Sequence, residues 1–262
     1  MAVLTEDIEV LEFELSESEV ADEEYVMGEP FDHTVKHSDT YYEQYIQSFV
    51  PNKKRRLFYR FVKRSFDIVV SLLALIVFSP IMLIIAIAIK CDSEGSIIFK
   101  QKRIGKNGRV FYCYKFRSMT IDAPKDCPTS RLENPEQYQT RLGRFLRKTS
   151  LDELPQLWCV FTGTMSIIGY RPLVLTEEKC NEMRRRLNVF WARPGISGYA
   201  QVHGRDNVYY KNKAVLDAEY VKRASLILDL KLIFQTVMVV LKREGNHAEK
   251  GKEKEKESIT AK

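Results

Sequence analysis

The sequence predicts a mainly helical α+β protein held on one face of a membrane by a broken, re-entrant helix, with a β-hairpin and interfacial amphipathic helices beside it. Three observations carry that prediction. Ile68 to Ile89 is a run of twenty-two residues in which only Ser71, Ser79 and Pro80 are not apolar. Basic clusters flank the run on both sides. Strand-forming residues lie on either side of a Gly-Lys-Asn-Gly turn further along.

The chain begins with an acidic leader. Residues 1 to 40 carry thirteen Asp and Glu against Lys36 alone, a net −12, which leaves +18 on the remaining 222 residues of a chain whose total is +6. Few apolar residues recur periodically in the leader, so residues 1–52 are expected to be a disordered extension, either docked on the basic body or solvated. A body this basic suits membrane lipid head groups or a phosphorylated substrate. It contains no recognised nucleic-acid motif, so nucleic acid is not expected as a partner.

Residues 53–95 form the basic flank and the membrane segment. About 20 apolar residues cross the hydrocarbon of a bilayer, and the run lies too far from Met1 for a cleaved signal peptide. Lys53, Lys54, Arg55, Arg56, Arg60, Lys63 and Arg64 precede it, and Lys90, Lys100, Lys102, Arg103 and Lys106 follow. Positive charge marks the cytoplasmic side. Two basic flanks are best satisfied by a helix that enters, turns at Ser79-Pro80 and leaves by the same face, because proline removes an amide donor and the Ser79 hydroxyl can serve a freed carbonyl. A kinked single span is the alternative. The five cysteines are odd in number and form no CxxC pair, as expected of a reduced, cytosol-facing body.

Residues 96–243 are expected to be the folded, cytosol-facing domain, followed by a charged low-complexity tail over 244–262. Ser96 to Met119 reads as a hairpin turning at Gly105-Lys106-Asn107-Gly108. Ala123 to Gln139 holds Pro124, Pro128 and Pro135 and reads as loop. Arg141 to Lys148 reads as a short amphipathic helix with Leu142, Phe145 and Leu146 on one face. Ala214 to Arg223 reads as a polar helix. Ser225 to Leu241 reads as a helix that is packed, spanning or interfacial, with Asp229 and Lys231 opposing a span.

The segment Thr149-Ser150-Leu151-Asp152-Glu153-Leu154-Pro155-Gln156 has two readings. Ser150 and Glu153 stand at capping-box spacing, so the carboxylates could simply start a helix. Yet Arg147 and Lys148 lie just upstream and Gly169-Tyr170-Arg171-Pro172 follows, and paired carboxylates beside guanidinium groups suit metal-assisted chemistry on a phosphate.

Seven blocks occur in a fixed order over residues 63 to about 241. They are Lys63-Arg64-Ser65-Phe66-Asp67, Ser79-Pro80, Phe99-Lys100-Gln101-Lys102-Arg103-Ile104-Gly105, Tyr114-Lys115-Phe116-Arg117-Ser118-Met119, Thr149 to Gln156, Ser166 to Pro172, and Arg193-Pro194-Gly195-Ile196-Ser197-Gly198. In these the chain resembles the bacterial sugar transferases, the monotopic polyprenyl-phosphate phosphoglycosyl transferases. The resemblance implies transfer of a sugar 1-phosphate from a UDP-sugar to a polyprenyl phosphate, with UMP released. It implies Asp152 as nucleophile, Glu153 as its partner in holding Mg²⁺, a covalent phosphosugar intermediate and ping-pong kinetics. It also implies the bacterial inner membrane, with the domain on the cytoplasmic face, and downstream glycosyltransferases as partners.

Within that resemblance Arg147 and Arg171 are assigned to phosphate, with Lys100, Lys115 and Arg117 as further candidates and Arg193 in a loop near the nucleotide. A first-turn position would favour ionised Asp152 through the helix dipole. Tyr170 stands where the family often has proline, and His203 where asparagine is common; both departures bear on sugar choice, and His203 also reads as an ordinary structural histidine. Two non-enzymatic readings remain. A catalytically silent scaffold of this fold would need the anchor but not Asp152, Glu153, Arg147 and Arg171 together. A single-pass receptor would need residues 1–52 outside the cell.

Overall fold

The computed structural model describes residues 20–21, 36–49, 57–124, 127, 132, 134–203 and 209–241. The expected tail over 244–262 lies outside the described residues. The chain divides into two units, Met1–Ser48 and Phe49–Lys262.

Of the expected disordered extension over 1–52, residues 20–21 and 36–49 are described, and the rest lies outside the described residues. Strand β1 (Val20–Ala21) pairs in parallel with β2 (Lys36–His37), and α1 (Asp39–Ser48) follows. Tyr41, Tyr42 and Tyr45 are buried along one side of α1, at the spacing that brings residues three and four apart together. The His37 ring stacks on Tyr41 at 4.1 Å.

The second unit is organised by α2 (Leu57–Asp92), 36 residues and so about 54 Å long at 1.5 Å per residue. Among the described residues it is the one helix long and apolar enough to cross a membrane. The expected break at Ser79-Pro80 does not interrupt its helical residues. Pro80 cannot donate to the carbonyl of Ile76, four residues back, and the Ser79 hydroxyl takes that place at 2.7 Å. The middle of the helix is bare: Leu73, Ile76, Val77, Leu83, Ile84 and Ile87 are exposed.

Both ends of α2 dock on the same body. Towards its start, Asp67 accepts from the Ser166 hydroxyl and the Ile167 amide, each at 3.1 Å, and the Arg64 guanidinium donates to the carbonyls of Val160 and Phe161 at 2.7 Å. Towards its end, Ile85 and Ile89 pack on Phe116 and Leu146. Arg117 donates to the carbonyls of Glu94, Ile89 and Ser93, capping carbonyls that a helix end leaves without partners.

The hairpin forms as expected, β3 (Ile98–Ile104) antiparallel to β4 (Val110–Phe116). Its turn is tight because Asn107 and Gly108 adopt left-handed φ, 57° and 71°, which Asn and Gly tolerate best. Next come α3 (Arg141–Thr149) and α4 (Gln156–Thr162). On α3, Leu146 is fully buried but Phe145 is 56% exposed, so the expected apolar face is only partly packed.

A second small sheet pairs β5 (Ser166–Ile168) in parallel with β6 (Gly195–Ser197). A Cβ on Gly195 would lie 2.1 Å from the Gly169 amide nitrogen, which explains glycine at this close backbone approach. The crossover carries α5 (Glu178–Arg186), and α6 (Tyr199–His203) follows β6.

Helix α7 (Tyr210–Arg223) starts earlier than expected and is a core helix, not a polar one. Ala214, Val215, Leu216, Ala218 and Tyr220 are buried, and its Asp217 pairs with Arg184 of α5 in a fully buried ion pair. Helix α8 (Leu226–Leu241) buries Leu232 and Asp229 while Ile227, Leu230 and Phe234 are exposed. Asp229 accepts from Tyr59, Lys63 and Tyr220 at 2.7–2.8 Å, which fastens α8 to α2 and α7. Helix α8 thus packs on the body along its Asp229 and Leu232 side, with Ile227, Leu230 and Phe234 on the outside.

Candidate active site

The dyad sits in a turn that local sequence does not foretell. Thr140 caps α3, accepting from the Gly143 amide at 2.9 Å. The helix then stops at Ser150, whose backbone is left-handed with φ 58°. The capping box is not formed: Ser150 makes no side-chain cap hydrogen bond, and Leu151–Glu153 is a 3₁₀ turn. Asp152 and Glu153 are therefore free of helix-capping duty.

Both carboxylates meet the cations of two other elements. Lys115, on β4, donates to Glu153 Oε1 at 2.6 Å, and the Arg171 guanidinium lies 3.5 Å from the same oxygen. Arg171 follows β5 and is held through its backbone, because Arg184 donates to its carbonyl at 2.9 Å. Arg184 is in turn paired with Asp217.

Burial works against the charge on Glu153, but Lys115 and then Arg171 outweigh it and hold the carboxyl down at about 2. Asp152 goes the other way. Burial raises its pKa above the ordinary value, and the attraction of Lys115, Arg147 and Arg171 only partly offsets this, with Glu153 adding to the rise. The helix dipole expected to favour ionised Asp152 does not prevail, because the residue lies in a buried 3₁₀ turn rather than an exposed first α-turn. Among the described residues no hydrogen bond reaches the Asp152 carboxylate.

The structure gathers some predicted residues and separates others. Arg147, Lys115 and Arg171 join Asp152 and Glu153. Lys100 is opposite Tyr114 in the hairpin register while Lys115 is opposite Phe99. Side chains alternate along a strand, so Lys100 projects from the face away from Lys115, its ammonium 5.8 Å from the Tyr114 ring centre. Arg117 is occupied at the end of α2. Arg193 donates to the Gly163 carbonyl at 2.9 Å and keeps company with Arg60 and Arg64 instead.

Ser79 and Pro80 lie in the exposed middle of α2. Tyr170, read as bearing on sugar choice, is fully buried between Phe190 and Arg184. His203 stacks on Tyr199 at 4.0 Å, its Nδ1 2.9 Å from the Tyr199 carbonyl.

One residue was missed. Arg103, on the Lys115 face of the hairpin, donates to the Pro172 carbonyl at 2.7 Å and feels the charges of Arg171 and Glu153. Strand alternation from Lys115 through its partner Phe99 to Arg103 was the signal that could have found it.

For a divalent cation the donor set is small. No group of three or more His, Cys, Asp or Glu side chains suited to a metal occurs among the described residues. Two adjacent carboxylates with an uncommitted Asp152 fit Mg²⁺, which is commonly held by one or two carboxylates together with substrate phosphates.

Known proteins share this arrangement of sequence. The bacterial sugar transferase family profile matches residues 58–243. An undecaprenyl-phosphate galactose phosphotransferase of Salmonella typhimurium is 40% identical over 202 residues, covering 71% of this chain and 42% of its own length. A UDP-glucose:undecaprenyl-phosphate glucose-1-phosphate transferase of Escherichia coli is 39% identical over 188 residues, 68% of this chain and 40% of its own length. The exopolysaccharide production protein ExoY of Sinorhizobium fredii is 36% identical over 199 residues, 71% of this chain and 88% of its own length. The chain thus spans less than half of the first two and most of the third.

Proposed function

The chain belongs to the bacterial sugar transferase family, and on that premise we propose that it transfers a sugar 1-phosphate from a UDP-sugar to a polyprenyl phosphate such as undecaprenyl phosphate. The products are polyprenyl-diphosphate-sugar and UMP. The observation that carries this reading is the Asp152 carboxylate, buried and uncommitted beside a Glu153 that Lys115 and Arg171 hold ionised. Two relatives named for undecaprenyl-phosphate sugar transfer support the substrate class.

In this reading an Asp152 oxygen attacks the phosphorus that bears the sugar. The bond to the bridging oxygen breaks, and UMP leaves with the electron pair. The phosphosugar rests on the aspartate as an acyl phosphate. A phosphate oxygen of the polyprenyl carrier then attacks the same phosphorus, and the aspartate departs as carboxylate. Arg147 and Arg171 face the diphosphate, with Lys115 setting the charge of Glu153. Asp152 and Glu153 would hold Mg²⁺, which when bound neutralises phosphate charge. Arg103 holds the carbonyl of Pro172, the residue after Arg171.

The packing of α2 supports a membrane placement. A helix that crossed would carry its two ends to opposite sides of the bilayer, whereas Asp67 and Ile89 both pack on one body. That supports the re-entrant arrangement, with the site at the height of the carrier phosphate on the cytoplasmic face of the inner membrane. The product would feed downstream glycosyltransferases of exopolysaccharide, capsule or glycoconjugate assembly.

The test is UMP release from a panel of UDP-sugars by membrane-purified protein with Mg²⁺ and undecaprenyl phosphate, beside Asp152→Ala. Release that needs both lipid and Asp152 is the expected result and names the sugar. Silence across the panel from folded protein would favour the scaffold reading.

A further inference from the structure

A second cationic group lies apart from the dyad, at the start of α2. Arg60 and Arg64 stand one turn apart on that helix. Lys106 lies at the tip of the β3–β4 hairpin, which packs against the turn Val189–Trp191, and Arg193 follows two residues later. The Arg60 guanidinium sits 5.6 Å from the Trp191 ring centre. Burial lowers the pKa of Lys106, and Arg60 and Arg193 lower it further; burial likewise lowers that of Arg193, with Arg64 and Arg60 adding to it.

Part of this group has a structural duty. Arg64 spends its guanidinium on the carbonyls that end α4, and Arg193 spends its Nε on Gly163. Arg60 and Lys106 have no carboxylate partner among the described residues, and the one acid felt by Arg193 is Asp67. Assembling like charges around one point costs free energy unless an anion shares the place. The charges that act most on Asp152 and Glu153 are those of Lys115, Arg171, Arg147 and Arg103, none of them in this group.

The surroundings are those of a lipid head group. Leu57, Phe58 and Phe61 are exposed on the same end of α2, and Trp191 is partly exposed beside Arg60. Aromatic side chains next to basic ones mark the level of the head groups at a membrane interface. We propose that Arg60, Lys106, Arg193 and Trp191 form a second anion site that seats the phosphodiester of an anionic membrane phospholipid.

The full chain in detergent, carrying Trp158→Phe so that Trp191 is the sole tryptophan, is titrated with dihexanoyl phosphatidylglycerol and read by tryptophan fluorescence. Saturable change is expected, with no change from dihexanoyl phosphatidylcholine. Arg60→Gln and Lys106→Gln should each weaken the apparent affinity about fivefold, as loss of one basic contact near ~1 kcal/mol implies, while Lys148→Gln leaves it unaltered. Melting of the lipid-free variants at the parent temperature shows that folding is intact; Lys106 lies on a hairpin turn where the substitution is tolerated.

Equal response to phosphatidylcholine, or unweakened binding in both variants, overturns the proposal. Tighter saturation by farnesyl phosphate or inorganic phosphate also overturns it, assigning the site to the carrier or to a soluble anion. No turnover is measured, so failure here is separate from failure of the transferase reading.

Discussion

Lys115 and Glu153 meet at 2.6 Å across the gap between β4 and the dyad turn, a contact that the neighbouring Asp152 lacks, and the two carboxyls shift in opposite directions. Glu153 is held as a firm anion, while Asp152 remains uncommitted with a raised pKa. Environments that push paired acids apart in this way are how a site assigns separate tasks to like groups.

Asp152→Asn should lower UMP release by roughly 10³-fold or more, since it removes the attacking atom. The protein should still fractionate with membranes. Its melting temperature should rise, because the substitution relieves a buried carboxylate whose ionised form is disfavoured. Turnover equal to the parent's would dismiss Asp152 as nucleophile.

The acid limb of the kcat/KM profile should lie above ~3.9, the usual aspartate value. Burial raises the pKa of Asp152, so the ionised nucleophile is lost as pH falls through that raised value. In stability the two acids act with opposite sign. Glu153, lowered from 4.5 to about 2, contributes above 4.5 and loses that contribution as pH falls towards 2, a change of roughly 3 kcal/mol at most. Asp152 costs stability at neutral pH and regains it on protonation. A limb at or below 3.9 would contradict this assignment.

Lys115→Gln leaves Glu153 with Arg171 at 3.5 Å as its one charged contact within salt-bridge range among the described residues. Turnover should fall about 10- to 100-fold and stability by about 1–2 kcal/mol. Lys115→Arg should recover part of the stability. The pair of variants is read by UMP release and by thermal melting.

Arg117→Met should destabilise by about 2–3 kcal/mol, since a buried guanidinium that closes the end of α2 is removed. Turnover per folded molecule should stay near the parent's. A selective loss of kcat in fully folded protein would return Arg117 to the phosphate-binding set.

In intact cells, a membrane-impermeant maleimide should not label Pro30→Cys above the background of the parent chain. Labelling should appear on permeabilisation. External labelling would mean that α2 crosses the bilayer.

Much of this was written plainly in the chain. The apolar run and the hairpin follow from length and alternation, which are local properties, whereas local pattern left the Asp152-Glu153 pair open and its role came from the resemblance in ordered blocks. What escaped were consequences of contacts distant in sequence. Ser150 looked like a cap until its backbone turned left-handed. Arg117 looked like a phosphate ligand until α2 ended beside it. Tyr170 was read as bearing on sugar choice, and the structure closes Phe190 and Arg184 around its ring. Strand parity did separate Lys100 from Lys115, but only once the hairpin register was known.

The docking of Asp67 on Ser166 also sets an order of assembly. The two residues are separated by 99 positions, so at roughly 5–20 residues per second of synthesis the helix waits roughly 5–20 s for its partner to emerge. Throughout that interval the apolar side of α2 has no protein to cover it, only the bilayer. On the proposed membrane placement, α2 reaches the bilayer before the body can fold, and the nascent chain closes over an anchor already in place.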